Sequence, residues 1–206
     1  MLRRHLLTLI VIVMCAIAVV GQDKPKVTVN SNGEIVVPPE MEEYVRRRME
    51  LLKNPDFLRL TLDPVVSKHG EEGAEAKPFE VGKKVSFKLL MTNTLSEPFI
   101  IDVGTSYDNT RPLLIKDGET MSYHKSAIKA VENKSKIITR INGLSIRLYP
   151  NKTESVGTID LKDWYEAIEP GRYLLTVQYR LHGSEKWIES PPIMFEVAPM
   201  ILKENH

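Results

Sequence analysis

The stretch Ile168-Glu169-Pro170-Gly171-Arg172-Tyr173-Leu174-Leu175-Thr176-Val177-Gln178-Tyr179-Arg180 sets a turn signal, Pro170-Gly171, immediately before four apolar residues at every second position: Tyr173, Leu175, Val177 and Tyr179. A period of two is the mark of a strand with one buried face. Proline presets the turn backbone and glycine adopts conformations other residues avoid, so the chain turns abruptly into that strand. The same period recurs on both sides. Downstream, Trp187-Ile188 precedes Ile193, Phe195 and Val197, which end at Pro199. Upstream, Leu144, Ile146 and Leu148 alternate as far as Pro150.

Further back, Leu58, Leu60 and Leu62 alternate from Phe57 until Pro64. Val85, Phe87, Leu89 and Met91 follow Phe79-Glu80-Val81-Gly82 and close at Asn93, and Phe99, Ile101 and Val103 make a third run. Leu113 to Ile115 and Met121 to Tyr123 flank Asp117-Gly118, a hairpin signal. Lys68 to Lys77 is charged, small and aperiodic, hence a loop. Ser126 to Ile141 reads as a long excursion or an irregular strand, and Val156 to Leu161 as a short extra piece. Asp160 to Ile168 suggests one or two helical turns capped by Asp160. Many short strands without alternating long helices predict an all-β antiparallel sandwich spanning residues 57–198.

Residues 22–56 differ. Gln22 to Pro39 is rich in proline and polar residues and reads as an extended arm. Pro39 then suits a first helical position, Glu40, Glu42 and Glu43 load the first turn, and Met41, Tyr44, Val45, Met49 and Leu52 recur at helical spacing. Asn54-Pro55 stops this short amphipathic helix. Residues 199–206 form a C-terminal tail.

Residues 1–21 carry Arg3 and Arg4 before an uncharged run from Leu6 to Val20, the pattern of a secretory leader with cleavage after Ala18 or Gly21. The run is shorter than the roughly 20 residues that span a bilayer, so the expectation is a secreted or periplasmic chain with no stable membrane span, an uncleaved N-terminal anchor being the alternative. Cys15 is the sole cysteine of the 206 residues and lies inside the leader. The mature chain then has no thiol, which excludes disulfides, zinc-thiolate sites and cysteine catalysis. The 28 basic and 27 acidic side chains nearly cancel, and nothing in that balance points to nucleic acid.

Ile168-x-Pro170-Gly171-x-Tyr173-x-Leu175-x-Val177-x-Tyr179 resembles the corner entering strand F of immunoglobulin-like and fibronectin type III-like domains. Phe79-x-x-Gly82-x-x-Val85-x-Phe87-x-Leu89-x-Met91-x-Asn93 and Ile193-x-Phe195-x-Val197 extend the likeness to opening and closing strands. The resemblance implies that Ile168, Pro170 and Tyr173 form a structural corner, with the Tyr173 hydroxyl bonding back to the corner's backbone. The chain departs from the family in a shorter Pro170–Tyr173 spacing and in lacking the Cys-Trp-Cys core.

The candidate binding surface comprises Tyr107, Trp164, Tyr165 and Trp187, rings in or beside loops that would stack on a glycan or anchor a protein partner; the alternative for Trp164 and Tyr165 is closure of the core. The loops Thr105–Arg111 and Ser184–Trp187, or an open sheet edge, would present that surface. Asp102, Asp108 and Asn109 offer oxygens to calcium, and Asp102, Asp108 or His124 offer acid–base groups to a hydrolase. Asp160, Asp163, Glu166 and Glu169 step along one segment as a solvated face or as glycosidase-type carboxylates. His69, His124, His182 and His206 show no metal-binding spacing, and Asn133-Lys134-Ser135 and Asn151-Lys152-Thr153 match the glycosylation sequon. The leading expectation is a non-enzymatic module that binds a protein or glycan and holds no cofactor or metal. The alternatives are an extracytoplasmic hydrolase and a protease-inhibitor or chaperone-like module.

Overall fold

A computed structural model describes residues 28–29, 35–36, 39–65, 79–103, 107–132 and 145–199. The expected leader (1–21), the loop 68–77, His69, His206, the first sequon and the tail beyond residue 199 lie outside them. The described elements are β1 (Thr28–Val29), β2 (Ile35–Val36), α1 (Pro39–Lys53), β3 (Leu58–Pro64), β4 (Phe79–Glu80), β5 (Ser86–Asn93), β6 (Phe99–Asp102), β7 (Thr110–Lys116), β8 (Glu119–Thr120), α2 (Lys125–Glu132), β9 (Ser145–Leu148), β10 (Thr153–Asp160), a 3-10 turn (Leu161–Asp163), β11 (Gly171–Tyr179), β12 (Ile188–Glu189) and β13 (Ile193–Ala198). The fold is mostly β, built from several antiparallel sheets with few helices, an arrangement consistent with a β-sandwich.

The chain divides into two compact units. One comprises Met1–Pro55 with Gly183–Lys186. Within it β1 pairs antiparallel with β2, and the Ser184 hydroxyl donates to the Leu52 carbonyl at 2.7 Å. The Lys186 ammonium donates to the Asn54 side-chain oxygen. Helices end with carbonyls that lack intrahelical partners, and the Ser184 hydroxyl supplies a donor to one of them at the end of α1.

The other unit, Asp56–His182 with Trp187–His206, holds the remaining sheets. One has three strands in the order β10-β5-β3; the second runs β4-β13-β11-β7-β8, with β12 also on β11. Every pairing in them is antiparallel except β13 with β4, which is parallel. Tyr173, Leu175, Val177 and Tyr179 of β11 are all buried, as are Phe87, Leu89 and Met91 of β5. The two sheets meet through aromatic rings: Phe87 of β5 lies 5.5 Å from Phe79 of β4 and 5.1 Å from Phe195 of β13, and Phe195 stacks on Tyr173 at 5.2 Å.

Three local departures from the sequence reading have physical causes. Part of the supposed excursion after Ser126 is α2, whose first turn is capped by His124: its Nδ1 accepts from the Ala127 N–H at 3.0 Å. Residues 133–144 lie outside the described residues. Second, Val156 to Asp160 belongs to an eight-residue strand, β10, and Leu161 opens the 3-10 turn. A bulge between Ser155 and Gly157 breaks the alternation that would have announced it. Third, Met121 to Tyr123 is irregular, leaving β8 only two residues long.

The β7–β8 turn has Asp117 at φ 52° and Gly118 at φ 86°, the left-handed pair that a two-residue hairpin loop demands. Along the far margin of β7 side chains and an irregular segment stand where a strand would pair. The Pro112 carbonyl accepts from the hydroxyls of Tyr123 (2.6 Å) and Tyr165 (2.9 Å). Leu114 donates its N–H to the Tyr165 hydroxyl at 3.1 Å and accepts from the Met121 N–H at 2.9 Å.

Candidate functional site

Alternation along β11 puts Arg172, Leu174, Thr176 and Gln178 on the face opposite the buried residues. Register then assembles the rest of that outward face: Leu174 lies between Met194 of β13 and Ile115 of β7, Thr176 beside Leu113, and Gln178 beside Arg111 and Glu189. Met194 is 83% exposed and Leu113 45%. Leu174 and Ile115, both half-buried, continue the row from Met194, and Leu113 follows one alternation along β7 from Ile115.

One end of this face carries two cations and an indole. The Arg111 and Arg180 guanidinium carbons sit 5.2 and 4.9 Å from the Trp187 ring centroid. Cation–π attraction favours each contact. Backbone carbonyls fix the guanidiniums: Arg180 Nη2 donates to Asp108 O at 2.9 Å, and Arg111 Nη1 donates to Thr110 O at 2.7 Å and to Tyr107 O. The Arg180 N–H donates to Asn109 O at 2.8 Å, which ties the turn 107–109 to the end of β11. Among the described residues the buried Arg111 Nη2 has no hydrogen-bond partner. Burial first, and then the Arg180 charge, lower the Arg111 pKa, while Tyr123 and Asp108 oppose them.

The sequence-predicted aromatics separate into two groups. Trp187 belongs to the outward face. Trp164 and Tyr165 correct the displayed-ring expectation, being only 4% and 1% exposed. The 3-10 turn that Asp160 caps by accepting from the Lys162 N–H at 3.2 Å leads directly into both rings. Tyr123 bridges them, 5.1 Å from Trp164 and 5.5 Å from Tyr165. Tyr107 is half-buried, 4.7 Å from Trp164, and its hydroxyl donates to Asp163 O at 2.7 Å. Burial, then the Asp163 charge, raise the Tyr107 pKa. Together with Thr110, Thr158, Ile159, Asp160 and Asp163, Tyr107 and Trp164 line a cleft of about 90 Å³, smaller than the pockets that take most organic ligands.

The corner residues stand at the entrance to β11. The Tyr173 hydroxyl donates to Glu169 O at 2.7 Å, Ile168 is half-buried and Pro170 is exposed. Glu169 pairs with Lys116 at 2.8 Å; the hydrogen bond lowers the carboxyl's pKa and raises the ammonium's.

Three of the candidate acid–base groups make structural bonds. Asp102 accepts from the Ser145 hydroxyl at 2.8 Å across the β6–β9 pair, His124 caps α2, and Asp160 pairs with Lys84 at 3.3 Å. Asp108 and Asn109 lie in the turn before β7, and the second sequon begins at Asn151, exposed in a turn at φ 55°. Among the described residues no group of three or more His, Cys, Asp or Glu side chains is placed to hold a metal ion, and no helix is long and apolar enough to cross a membrane.

Sequence reasoning missed Leu113, Met194 and Arg180 as surface groups. Their signal was the outward phase of the same alternation that identified the core, since Arg180 shares the phase of Leu174 and Gln178. No protein-family model matches the chain, and no curated protein matches it.

Proposed function

We propose that this protein is a non-enzymatic, extracytoplasmic β-sandwich module of immunoglobulin-like topology that binds a protein partner through the outward face of β13, β11 and β7. The observation that carries the reading is the exposure of Met194, in register with Leu174 and Ile115, and of Leu113, beside Thr176 and two residues along β7 from Arg111 of the Trp187 cluster. Large aliphatic side chains side by side at a surface favour removal from water, and a protein surface removes them better than a glycan does. Aromatic and arginine side chains at the margin of such a patch suit an interface.

Three features support the topology. The order β10-β5-β3 matches strands E, B and A, the parallel β4–β13 pair matches an A′ strand beside G, and the Tyr173–Glu169 bond matches a tyrosine corner. The leader-like residues 1–21 support a destination outside the cytosol. The structural bonds of Asp102, His124 and Asp160 favour a binding role over catalysis.

A photo-crosslinking amino acid at Met194 tests the reading in the source organism, with Lys88, exposed on β5 of the other sheet, as the control position. The expected result is one discrete protein adduct from position 194 and none from position 88. Equal labelling from both positions, or none from 194, overturns it.

A further inference from the structure

Resting on that reading, we infer that Arg111 and Arg180, held against Trp187, are a carboxylate receptor inside the interface, so that the partner presents an aspartate or glutamate beside apolar residues. Two guanidiniums that cannot discharge are gathered at one indole, 5.2 and 4.9 Å from its centre. The ring attracts each of them, yet they repel one another, and Arg180 lowers the Arg111 pKa for that reason.

Their hydrogen bonds leave the charge in place. The acceptors of Arg111 and Arg180 are the neutral carbonyls of Tyr107, Thr110 and Asp108. The Asp108 carboxylate acts on Arg111 only as the weakest influence on its pKa, and the Glu189 carboxylate of the same face already accepts from Gln178 Nε2 at 2.8 Å. Among the described residues Arg111 Nη2 remains a buried donor without an acceptor, a state that native structures rarely tolerate. A carboxylate between the two side chains supplies the missing negative charge and, once the side chains covering Nη2 turn aside, its missing acceptor, and guanidinium–carboxylate geometry allows paired hydrogen bonds. Leu113, which follows Arg111 by two positions on the same face, and Met194 favour an anion carried on a peptide with apolar neighbours over a bare polyanion.

The test selects random dodecapeptides displayed on phage against the full mature chain, then titrates a selected synthetic peptide by calorimetry. Its acidic residue is replaced by the amide in one arm, Arg111→Gln and Arg180→Gln are made in a second, and Met194→Ser in a third. Selected peptides are expected to share a carboxylate beside apolar residues, and the amide peptide to bind at least about tenfold more weakly, as loss of a charge-assisted bond requires. Arg111→Gln should weaken the acidic peptide equally and the amide peptide little further. The peptide-side change leaves the protein untouched, so misfolding of an arginine variant cannot imitate this result. Peptides that bind without an acid preference, lose affinity in Met194→Ser and ignore both arginine variants overturn the receptor while leaving the docking face. Selection of no peptide, or binding indifferent to all three protein variants, overturns both.

Discussion

Tyr165 and Tyr173 present the same hydroxyl to different surroundings, and their removal separates burial from bonding. In Tyr165→Phe the buried Leu114 N–H loses its acceptor, which should cost about 1–3 kcal/mol. In Tyr173→Phe the Glu169 carbonyl belongs to an exposed residue that water can reach, so the loss should be about 0.5–1.5 kcal/mol. Urea unfolding midpoints at constant slope measure both, and the reverse ranking would contradict the network at Pro112. Tyr173 was legible because it opens a regular alternation after Pro170-Gly171. The interior place of Trp164 and Tyr165 was harder to read, since two consecutive buried rings fit neither a period of two nor a helical one. They are explained by the 3-10 turn and by a hydroxyl whose acceptor, Pro112, is distant in sequence.

Among the elements, the entry to β11 depends on backbone that only glycine adopts easily. Gly171 has φ +147°, and an added Cβ would meet Lys116 Cε at 3.0 Å; Gly118 has φ +86° with open space around it. Gly171→Ala should therefore destabilise by about 1–3 kcal/mol, strain and crowding together, and Gly118→Ala by about 1 kcal/mol from strain alone. Thermal melting of the two variants decides, and equal shifts would assign the whole effect to backbone strain. Strands β3, β5, β11 and β13 could be read from alternation because one face of each is the more deeply buried. The bulge concealed β10, and the short amphipathic pattern of α2 was hidden by a histidine in the capping position, where serine, threonine, aspartate or asparagine is the usual signal. Two successive prolines, Pro191 and Pro192, interrupt the run between β12 and β13; Ser190 bridges the gap by accepting the Val177 N–H on its hydroxyl at 3.0 Å.

For the molecule as a whole, alkaline pH is the condition that should separate folded from unfolded chains. Burial raises the Tyr179 pKa to about 12, and raises those of Tyr107, Tyr123, Tyr165 and Tyr173. Above about pH 10 an unfolded chain releases tyrosine protons that the folded chain retains. The folded state then binds more protons, so its stability is intact below pH 10 and falls as pH rises toward 12. Tyr179 alone contributes on the order of 2–3 kcal/mol to that loss. Denaturant midpoints measured from pH 8 to 11.5 should drop steeply only past 10, and a flat profile would contradict the burial of these rings. The Glu169–Lys116 pair works in the opposite range: its stabilisation is present above the usual carboxylate pKa and fades as acid protonates Glu169, weakly because the pair lies at the surface. The outward face could not be read at this scale from sequence, since Arg111, Arg180, Leu113, Trp187 and Met194 become neighbours only once strand register is known.

The margin of β7 sets how copies of this molecule can meet. Pro112 has no N–H to give and its carbonyl already serves two tyrosines, while Leu114 has spent both its backbone groups. A sheet can be copied only where its rim still offers donors and acceptors to an incoming chain. Along Pro112–Leu114 this one offers none, so that stretch cannot serve as the template for an added strand.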